Sequence, residues 1–485
     1  MAYRTETFND SQIADEFIDW LVENHWPSLA RHYNRLWSYY SNPSFEQAGA
    51  AYSRNGRRYT QAQEAGLPAR ITGLVYSGGT VQGGARQLGD IARKEVVIEN
   101  DIGWRVNAIV DFLFGRPVDF VSTASDSQKS AEIAAIIKAL FSANGAIGFL
   151  QDMAVLGSVY GFVDCLVRPG RQLTQLLPPS SFQTSAGRTS PAGALDEVLQ
   201  IVSTIGLELI EAPRVLPVLD ENDYKKINCY VQHFYQKKNS VAGKSTFLSR
   251  LVGAGTAGRQ RAEVAVTEII SPTAWQRYED KILTEQGENP WGFIPLVHIQ
   301  NIAQPYSYEG ISDVEPLIAL QDELNTRLSD RASRITFQSF KMYLGRGIEG
   351  FEDKPISPGR MWYTDNPDAS IEEFGGDSAS PSEDLHIAEI REAIDKTSGV
   401  TPIVAGLLQD RIGNLTSAVA LRMTMMGLLS RNQRKQFTYG QGLKKICSLV
   451  LEMLDMAGVY QTSPEERDIE VVFANPLPQL ENNGK

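Results

Sequence analysis

The chain has 485 residues and carries a formal net charge of −12 at pH 7. It is long enough for about two to four domains with large buried cores. The acidic balance argues against a tight, sequence-specific nucleic-acid-binding protein, because such proteins are usually basic. The three cysteines are too few and too widely separated for a disulfide framework, and this usage is typical of a reducing compartment.

Neither a cofactor nor a metal ion is expected from the sequence. The five histidines show no zinc-ligand spacing with the cysteines. The N-terminus lacks the apolar segment of a secretion signal, and no run of about 18 apolar residues is available to span a membrane. Secretion and a membrane partner are therefore not expected.

The first part of the chain predicts helices separated by a connection. Residues 9–40 predict a helix that is interrupted near Pro27. Residues 41–92 are rich in Gly, Ser, Ala and Arg, which indicates an extended, mobile connection. A further helix is expected within residues 100–120, where apolar residues recur on one side until Gly115 ends the pattern.

Residues 200–300 predict strands, and a nucleotide-binding tripeptide lies between two of them. Residues 227–235 and 262–270 alternate with period two. Between them stands Gly243-Lys244-Ser245, which ends the phosphate-binding loop of many ATPases. Such a loop needs a glycine where this chain has Lys238, and it joins a strand to a helix rather than two antiparallel strands. The sequence therefore argues against nucleotide hydrolysis.

An upstream run, residues 215–221, offers an acid for magnesium, but Pro217 argues against a central strand there. The connection between the two predicted strands is basic and contains no acid. Its six basic residues are Lys237, Lys238, Lys244, Arg250, Arg259 and Arg261. Two interpretations stay open, a solvated loop or a contact with DNA or an acidic partner surface.

The last third of the chain predicts long helices. Residues 313–343 form an amphipathic pattern whose start carries the capping residues Ser312 and Glu315. Short strands are expected next, then a second helix from Ser380 that ends at Gly399. A glycine-containing loop, another long helix and a closing strand complete the chain.

This order of elements resembles the portal proteins of tailed double-stranded DNA bacteriophages. The similar stretches span about residues 100–480, and none of them is catalytic. They are "NAIVDFLFGRPV" (107–118), "EGISDVEPLIALQDELN" (309–325), "SGVTPIVAG" (398–406), "NLTSAVALRM" (414–423) and "VVFANPLP" (471–478). We therefore identify the chain as resembling this family.

The resemblance implies an α+β, mainly helical portal-like fold with long stem helices, a strand-rich wing portion and a small α/β clip. It implies a division of the chain into eight parts. They are an N-terminal helical arm and flexible connection, 1–99; the wing, 100–310; the first stem helix, 311–343; the clip, 344–379; the second stem helix, 380–398; the tunnel loop, 399–415; a long helix running into the wing, 416–456; and a C-terminal strand with a short or truncated crown, 457–485.

The resemblance also implies a function without catalysis. The chain would form a homo-oligomeric ring, usually of twelve subunits, at one capsid vertex of the virion, after assembly in the host cytoplasm. Double-stranded viral DNA would be packaged and ejected through it, and the ring would contact the terminase motor, neck or adaptor proteins, and the major capsid and scaffold proteins. Two alternatives stay open, a helical scaffold or adaptor virion protein without a DNA channel, and a nucleotide-binding protein that uses Gly243-Lys244-Ser245.

Two groups of candidate site residues follow from the resemblance. Residues facing DNA in the tunnel loop would be Leu407, Leu408, Gln409, Asp410, Arg411, Ile412 and Asn414. Partners would dock on the clip at Trp362, Tyr363, Glu372 and Glu373. The alternatives are an ordinary helix connection buried between subunits for the loop, and burial in the core of the clip for its tryptophan.

Overall fold

The structure is a computed structural model of the chain. It describes residues 3–4, 15–42, 62–68, 71, 75–77, 80–82, 95–177, 195–220, 222–238, 262–339, 342–346, 367–374, 381–405 and 422–476. The chain divides into two compact units. Unit 1 comprises Met1–Ser41, Ile102–Pro316 and Ser398–Lys485, and unit 2 comprises Asn42–Asp101 and Leu317–Thr397.

The helices follow one another along the chain with short 3-10 and π-helical segments between some of them. The α-helices are α1 Asp15–Trp20, α2 Trp26–Ser41, α3 Asp101–Phe114, α4 Ser127–Ala143, α5 Ile147–Tyr160, α6 Arg171–Leu176, α7 Leu195–Val202, α8 Ile318–Ser339, α9 Pro381–Ser398 and α10 Met426–Met456. The other segments are a π-helix at Leu21–His25 and 3-10 helices at Ala62–Gly66, Ala212–Arg214, Glu315–Leu317 and Pro402–Ala405.

The strands form one larger sheet and several small ones. They are β1 Tyr3–Arg4, β2 Val75–Ser77, β3 Thr80–Gln82, β4 Val118–Ser122, β5 Phe162–Arg168, β6 Gly206–Ile210, β7 Val215–Leu219, β8 Ile227–Lys238, β9 Ala262–Ile270, β10 Ala274–Glu279, β11 Ile282–Glu288, β12 Leu296–Gln300, β13 Met342–Arg346, β14 Ser370–Phe374 and β15 Ile469–Phe473. The sheet orders are β1-β7-β8-β9-β10-β11, β12-β5-β6, β13-β14, β15-β4 and β2-β3.

The six-stranded sheet of unit 1 confirms the predicted antiparallel setting of the basic connection. β8 pairs with β9 in antiparallel register up to Lys238 opposite Ala262. Residues 239–261 therefore join two antiparallel strands, and Gly243-Lys244-Ser245 falls outside the described residues. Residues two apart in a strand point to the same side of a sheet. The apolar residues on one side of this sheet pack on the N-terminal helices. The buried residues of this core are Leu21, Leu216, Val218, Cys229, Val231 and Ile269.

Pro217 is accommodated in a strand, contrary to the expectation from its sequence. It lies within β7, opposite Tyr230 of β8. The outer neighbour β1 pairs only with Val218 and Leu219, so the outer edge of β7 at Pro217 has no ladder partner among the described residues. A missing N–H is tolerated at such an edge.

The helices α4 and α5 and the small sheet β12-β5-β6 form a second part of the core of unit 1. α5 ends at Gly161, whose φ of +93° is the left-handed conformation that glycine adopts readily, and the buried strand β5 follows at once. Among the described residues no single helix is long and apolar enough to cross a membrane. α4 and α5, bent by 68°, meet that length and composition only as a pair, and most of their apolar side chains are buried in unit 1.

Unit 2 contains α8 and α9, the hairpin-like pair β13-β14 and the extended residues 95–100. Polar side chains of α8 hold that extended segment. Gln321 Nε2 donates to the Glu99 carbonyl at 2.7 Å, and Asn325 Oδ1 accepts from the Glu99 amide at 3.0 Å. Ser329 Oγ accepts from the Val97 amide at 2.9 Å. The inner face of α8 is thus specialised for binding backbone rather than for apolar packing alone.

One helix boundary in the described part of the chain differs from the expected one. α8 ends at Ser339 rather than at Tyr343, because Met342–Arg346 pairs as a strand with Ser370–Phe374. α10 is Met426–Met456, and it is preceded by helical residues 422–424 and a turn at Met425. The predicted start at residue 416 stays a prediction. Residues 406–421 fall outside the described part. The predicted interruption near Pro27 is present only as a change to a π-helical segment at Leu21–His25, and the backbone stays helical from Asp15 to Ser41.

We expect Gly442→Ala to destabilise unit 1. A Cβ at Gly442 of α10 would overlap the side chain of Ile299 in β12, which is buried. Overpacking of a core of this kind costs about 1–3 kcal/mol. Gly148→Ala in α5 is the matched control, because a Cβ there meets nothing within 4 Å and alanine favours a helix by roughly 0.5–1 kcal/mol. Urea unfolding of both variants measures the difference, and equal midpoints would contradict this packing.

Candidate functional site

The chain passes between the two units at four places, after residues 41, 101, 316 and 397. On the unit 1 side, residues near the last three crossings belong to one connected set of buried polar side chains. We name this set the anchor cluster. Its members, all in unit 1, are Arg105, Ser158, Asn301, Asp313, Ser398, Arg431, Lys435 and Tyr439.

Asp313 is the centre of the anchor cluster, and it is buried. Its Oδ1 accepts from Arg431 Nη2 at 2.6 Å and from Arg431 Nε at 2.9 Å. Its Oδ2 accepts from Lys435 Nζ and, at 3.0 Å, from Asn301 Nδ2. Both carboxylate oxygens are therefore saturated by donors, two of which are cations, as a buried charge requires.

Lys435 is completely buried on the inner face of α10. It lies in helical register with the buried Leu428 and Tyr439, so its ammonium group can reach only partners within the core. The ammonium group donates to Asp313 and, at 2.8 Å, to Ser158 Oγ of α5. Lys435 thereby ties α10 to α5 and to the segment that precedes α8.

Two cations sharing one anion explain the pKa shifts in the cluster. Burial by itself disfavours the Asp313 carboxylate, but the charges of Lys435 and Arg431 outweigh it and lower the pKa of Asp313 to about 2. Burial lowers the pKa of Lys435, and the neighbouring Arg431 charge acts in the same direction. Asp313 is thus held ionised, while Lys435 depends on it for its own charge.

Two arginines hold the end of α9. Arg431 Nη1 donates to the Ser398 carbonyl at 3.1 Å, and Arg105 Nη1 contacts Ser398 Oγ at 3.3 Å and also donates to the Val400 carbonyl. Cations favour the C-terminal end of a helix, where carbonyl groups lack helical partners. Gly399 follows with a φ of +71°, and its backbone lies so close to Gly427 that an added Cβ would be 3.3 Å away. The start of α10 and the end of α9 are therefore fixed together.

The start of the α8 region is fixed equally well. Ser312 Oγ accepts from the amides of Val314 and Glu315 at 3.0 and 3.2 Å, which confirms the predicted cap. The same hydroxyl donates to the Val159 carbonyl at 2.6 Å. Asn301 Oδ1 accepts from Tyr439 OH at 3.0 Å and so joins this region to α10.

A second buried carboxylate, Asp164 of β5, joins the two larger sheets of unit 1. It accepts from Tyr230 OH at 2.8 Å and from Tyr308 OH at 2.9 Å, and it lies 2.6 Å from His298 Nδ1. Burial, with the Asp164 charge, raises the pKa of both tyrosines well above its usual value, so they remain donors. The other ring nitrogen of His298 lies 2.8 Å from the Tyr308 carbonyl.

The geometry of both carboxylate sites fits a structural role. Their oxygens are occupied by internal partners. Within the described ranges no group of three or more His, Cys, Asp or Glu side chains is arranged to hold a metal ion. The arrangement fixes backbone segments in place.

The candidate residues from the sequence lie mostly outside the described part of the chain. The tunnel-loop residues 407–414, Trp362 and Tyr363 fall there, as do the basic residues from Lys244 to Arg261. The backbone of Glu372 and Glu373 forms part of β14, and Lys237 and Lys238 end β8. Nothing is described of these four side chains. The functional assignments of all these residues stay predictions.

Sequence reasoning missed the anchor cluster, although one signal for it was present. Lys435 occupies a position of α10 that otherwise follows the apolar, core-facing register. A lysine on such a face requires a buried acid. The sequence pattern cannot say which of the chain's acids is the partner, because Asp313 lies 122 residues away.

We expect Asp313→Asn to lower the free energy of unfolding by about 3–5 kcal/mol, because it leaves two cations without their buried anion. Lys435→Met in the same chain should recover part of that loss, so the two changes should be non-additive. Asp468→Asn is the matched control, since its pair with Lys444 of the same helix is partly exposed and is worth at most about 1 kcal/mol. Urea unfolding of Asp313→Asn, Lys435→Met, the double variant and Asp468→Asn measures these values. Full additivity would contradict the coupling.

The same pair predicts a pH dependence. The folded-state pKa of Asp313 lies below its ordinary value of 3.8, so its stabilising effect is present above about pH 4 and is lost as the pH falls towards about 2. The difference in unfolding free energy between the wild type and Asp313→Asn should be constant above about pH 5 and should shrink between pH 4 and 2. A difference that does not change over this window would show that Asp313 is not held ionised by its partners.

Comparison with known proteins assigns the chain to a family. The family model described as "Phage portal protein, SPP1 Gp6-like" matches residues 197–482. No curated protein sequence is significantly similar to the chain. Two similar solved structures are a chain from the neck of an empty GTA particle and a chain from the virion of a native gene transfer agent particle. The first has 10% identity and a TM-score of 0.40 over 79% of this chain and 82% of that one.

The second has 11% identity and a TM-score of 0.38 over 79% of this chain and 81% of that one. At these scores neither structure carries an argument about function. The family match is stronger evidence, because it spans more than half of the chain. The matched residues include three charged members of the anchor cluster, Asp313, Arg431 and Lys435. It confirms the resemblance found in the sequence. The chain belongs to the family of SPP1 Gp6-like phage portal proteins.

Proposed function

We propose that the chain forms a ring of twelve copies at one capsid vertex of a tailed-phage particle. Double-stranded DNA passes through the axis of the ring during packaging and ejection. The family match over residues 197–482 is the observation that carries this proposal. The ring has no catalytic role of its own in this proposal, and the motor that packages the DNA is a separate protein.

The anchor cluster supports a mechanical role. A channel that DNA is driven through must keep its backbone segments in register under load. Arg105, Asp313 and Ser398 lie beside three of the four crossings of the chain, and charged hydrogen bonds within unit 1 hold each of them. Breaking one buried pair exposes the other charge to an apolar core, so the cluster resists gradual deformation.

The charge of the chain supports a conduit rather than a tight binder. Twelve copies would carry a formal charge of −144, twelve times the −12 of one chain. Strong phosphate binding releases roughly one counterion for each phosphate neutralised and would hold the duplex in place. An acidic assembly instead allows the duplex to slide. In this proposal Arg411 touches passing phosphates weakly, and Asp410 keeps the contact from becoming a trap.

We assign the docking of partners to the clip. In this proposal, Trp362, Tyr363, Glu372 and Glu373 contact the terminase motor and later the neck proteins. The basic connection between β8 and β9 faces DNA or an acidic partner surface. The backbone of the clip supports this assignment, because β13 and β14 form a small two-stranded sheet within unit 2.

Negative-stain microscopy and analytical ultracentrifugation test the ring. We expect particles with a central hole, and we expect the exposed side of α10 to contribute to the subunit contact. Phe437 of α10 is 69% exposed, so Phe437→Glu should raise the concentration for half-assembly at least about tenfold. Ile282→Glu is the matched control, because Ile282 is also 69% exposed but lies on β11.

Only monomers at all micromolar concentrations would overturn the proposed ring. Closed particles without a hole would favour the scaffold or adaptor alternative. Equal effects of the Phe437 and Ile282 substitutions would leave the ring in place but would remove α10 from its interface.

A further inference from the structure

An exposed tyrosine projects from a fixed loop in unit 1. Tyr306 is 90% exposed, the highest value among the large apolar side chains in the described part of the chain. Its φ of +60° places it in the left-handed region, which is strained for a side chain of this size. The ring of Tyr224 lies 6.4 Å away, and Lys225 Nζ lies 5.6 Å from that second ring. We name Tyr306, Tyr224 and Lys225 the tyrosine knob.

The loop that carries Tyr306 is held on both sides of the strained residue. Gln300 Nε2 donates to the Ser307 carbonyl at 2.8 Å, and Gln300 Oε1 accepts from the Gln304 amide at 3.2 Å. The next residue, Tyr308, is anchored through its hydroxyl to Asp164. Such strain persists only where the surroundings impose it. The loop is thus pre-organised, so a partner that binds Tyr306 pays little ordering entropy.

Unit 1 also contains a cleft of about 400 Å³ of the kind that accepts an aromatic side chain. Its walls are mainly apolar, and its edge carries charged groups. The apolar walls are Leu166, Val167, Pro169, Ile269, Ile270, Trp275, Pro290, Trp291 and Pro295. Arg168 and Arg277 both pair with Glu268. Glu285 and Glu288 lie on β11 and also line the cleft.

The knob and the cleft lie at opposite ends of β12. The cleft is bounded by Pro295, just before the strand, and by Leu166, which pairs with Leu296. The knob loop follows Gln300, at the far end of the same strand. One chain therefore cannot fill its own cleft with its own knob, whereas a second copy can. A contact between two different surfaces of identical chains is heterologous, and such contacts close into rings when the rotation allows it.

The charges of the two surfaces are complementary. Lys225 on the knob is exposed, and the cleft is lined by three carboxylates, Glu268, Glu285 and Glu288, against two arginines. Three carboxylates against two arginines leave the lining of the cleft with one net negative charge, which a cation can face. Opposite charges across an interface favour one orientation of the two partners.

We infer that the knob of one subunit enters the cleft of its neighbour. Tyr306 inserts beside Trp275 and Trp291, and Lys225 faces Glu285 and Glu288. This inference rests on the proposed ring, because it names a contact that closes it. The occupant of the cleft is a second copy of this chain.

An engineered disulfide tests the contact directly. The three native cysteines are buried, so an exposed pair can be oxidised selectively. Tyr306→Cys combined with Gln276→Cys, a residue that lines the cleft, should give a ladder of covalent oligomers on a non-reducing gel. The matched control is Tyr306→Cys with Ile282→Cys, on an exposed site that does not line the cleft, and it should remain monomeric on the gel.

Assembly measurements on the full chain supply the second test. Tyr306→Ala should raise the concentration for half-assembly at least tenfold, while Tyr306→Phe should have a smaller effect because it keeps the ring. Lys225→Glu should weaken assembly, and Glu288→Lys in the same chain should restore it. Tyr306 is exposed in the single chain, so its substitution should leave urea unfolding of the monomer unchanged.

The outcomes separate the inference from the proposed ring. If Tyr306→Ala assembles like the wild type, the knob is not at the interface, although the ring stands. If Tyr306→Ala weakens assembly but no ladder forms with Gln276→Cys, the knob docks elsewhere and the assignment of the cleft is overturned. If the wild type is monomeric at every concentration, the proposed ring fails first and the inference fails with it.

Discussion

The ionic contact between Asp313 and its two cations is the constraint on which the rest of unit 1 depends. Arg431 and Lys435 lie one helical turn apart on α10, so their shared carboxylate fixes both the rotation and the axial position of that helix. Apolar packing alone would allow α10 to shift along its axis, because a neighbouring leucine could then occupy the same contact. A buried charge cannot be moved away from its partners without a large cost. The cluster therefore specifies one register for α10.

The segment from β12 to the start of α8 is fixed to α10 and is also held by hydrogen bonds of its own. Its side chains hold backbone rather than one another: Gln300 binds the loop carbonyls after it, Asn301 binds the Ile311 carbonyl, and Ser312 caps the next helical turn. The buried backbone at the two ends of this loop needs such partners for its polar groups. The two buried carboxylates, Asp164 and Asp313, lie at the two ends of this system. The strained Tyr306 is a consequence of it, since the loop has no freedom to relax.

This construction suits the proposed function, in which the ring is rigid and binds DNA weakly. The cations of the anchor cluster are turned inward and neutralised in part by Asp313, so they are not offered to phosphate. An acidic chain that keeps such charges in its core can be stabilised by ion pairs without becoming a nucleic-acid-binding surface. The proposed contact between knob and cleft also exposes few cations to phosphate, because it is mainly apolar and needs only one cation at its rim.

The sequence by itself determined the type of most described elements. Period-two alternation predicted β8 and β9, capping residues predicted the turn at Ser312, and the order of elements indicated the portal family. It erred where pairing decides the structure: α8 stops at Ser339 because Met342–Arg346 joins a strand, and Pro217 is tolerated because β1 covers only the end of β7.

Only the tertiary structure decided the partners of the buried charges. Asp313 meets Lys435 across 122 residues, and Asp164 meets His298 across 134. Periodicity states which face of an element is buried, but not what it is buried against, because that depends on how distant segments pack. The tunnel-loop, clip and basic-loop residues belong to neither group and stay predictions. For the anchor cluster, the local pattern supplied a buried lysine and the fold supplied its acid.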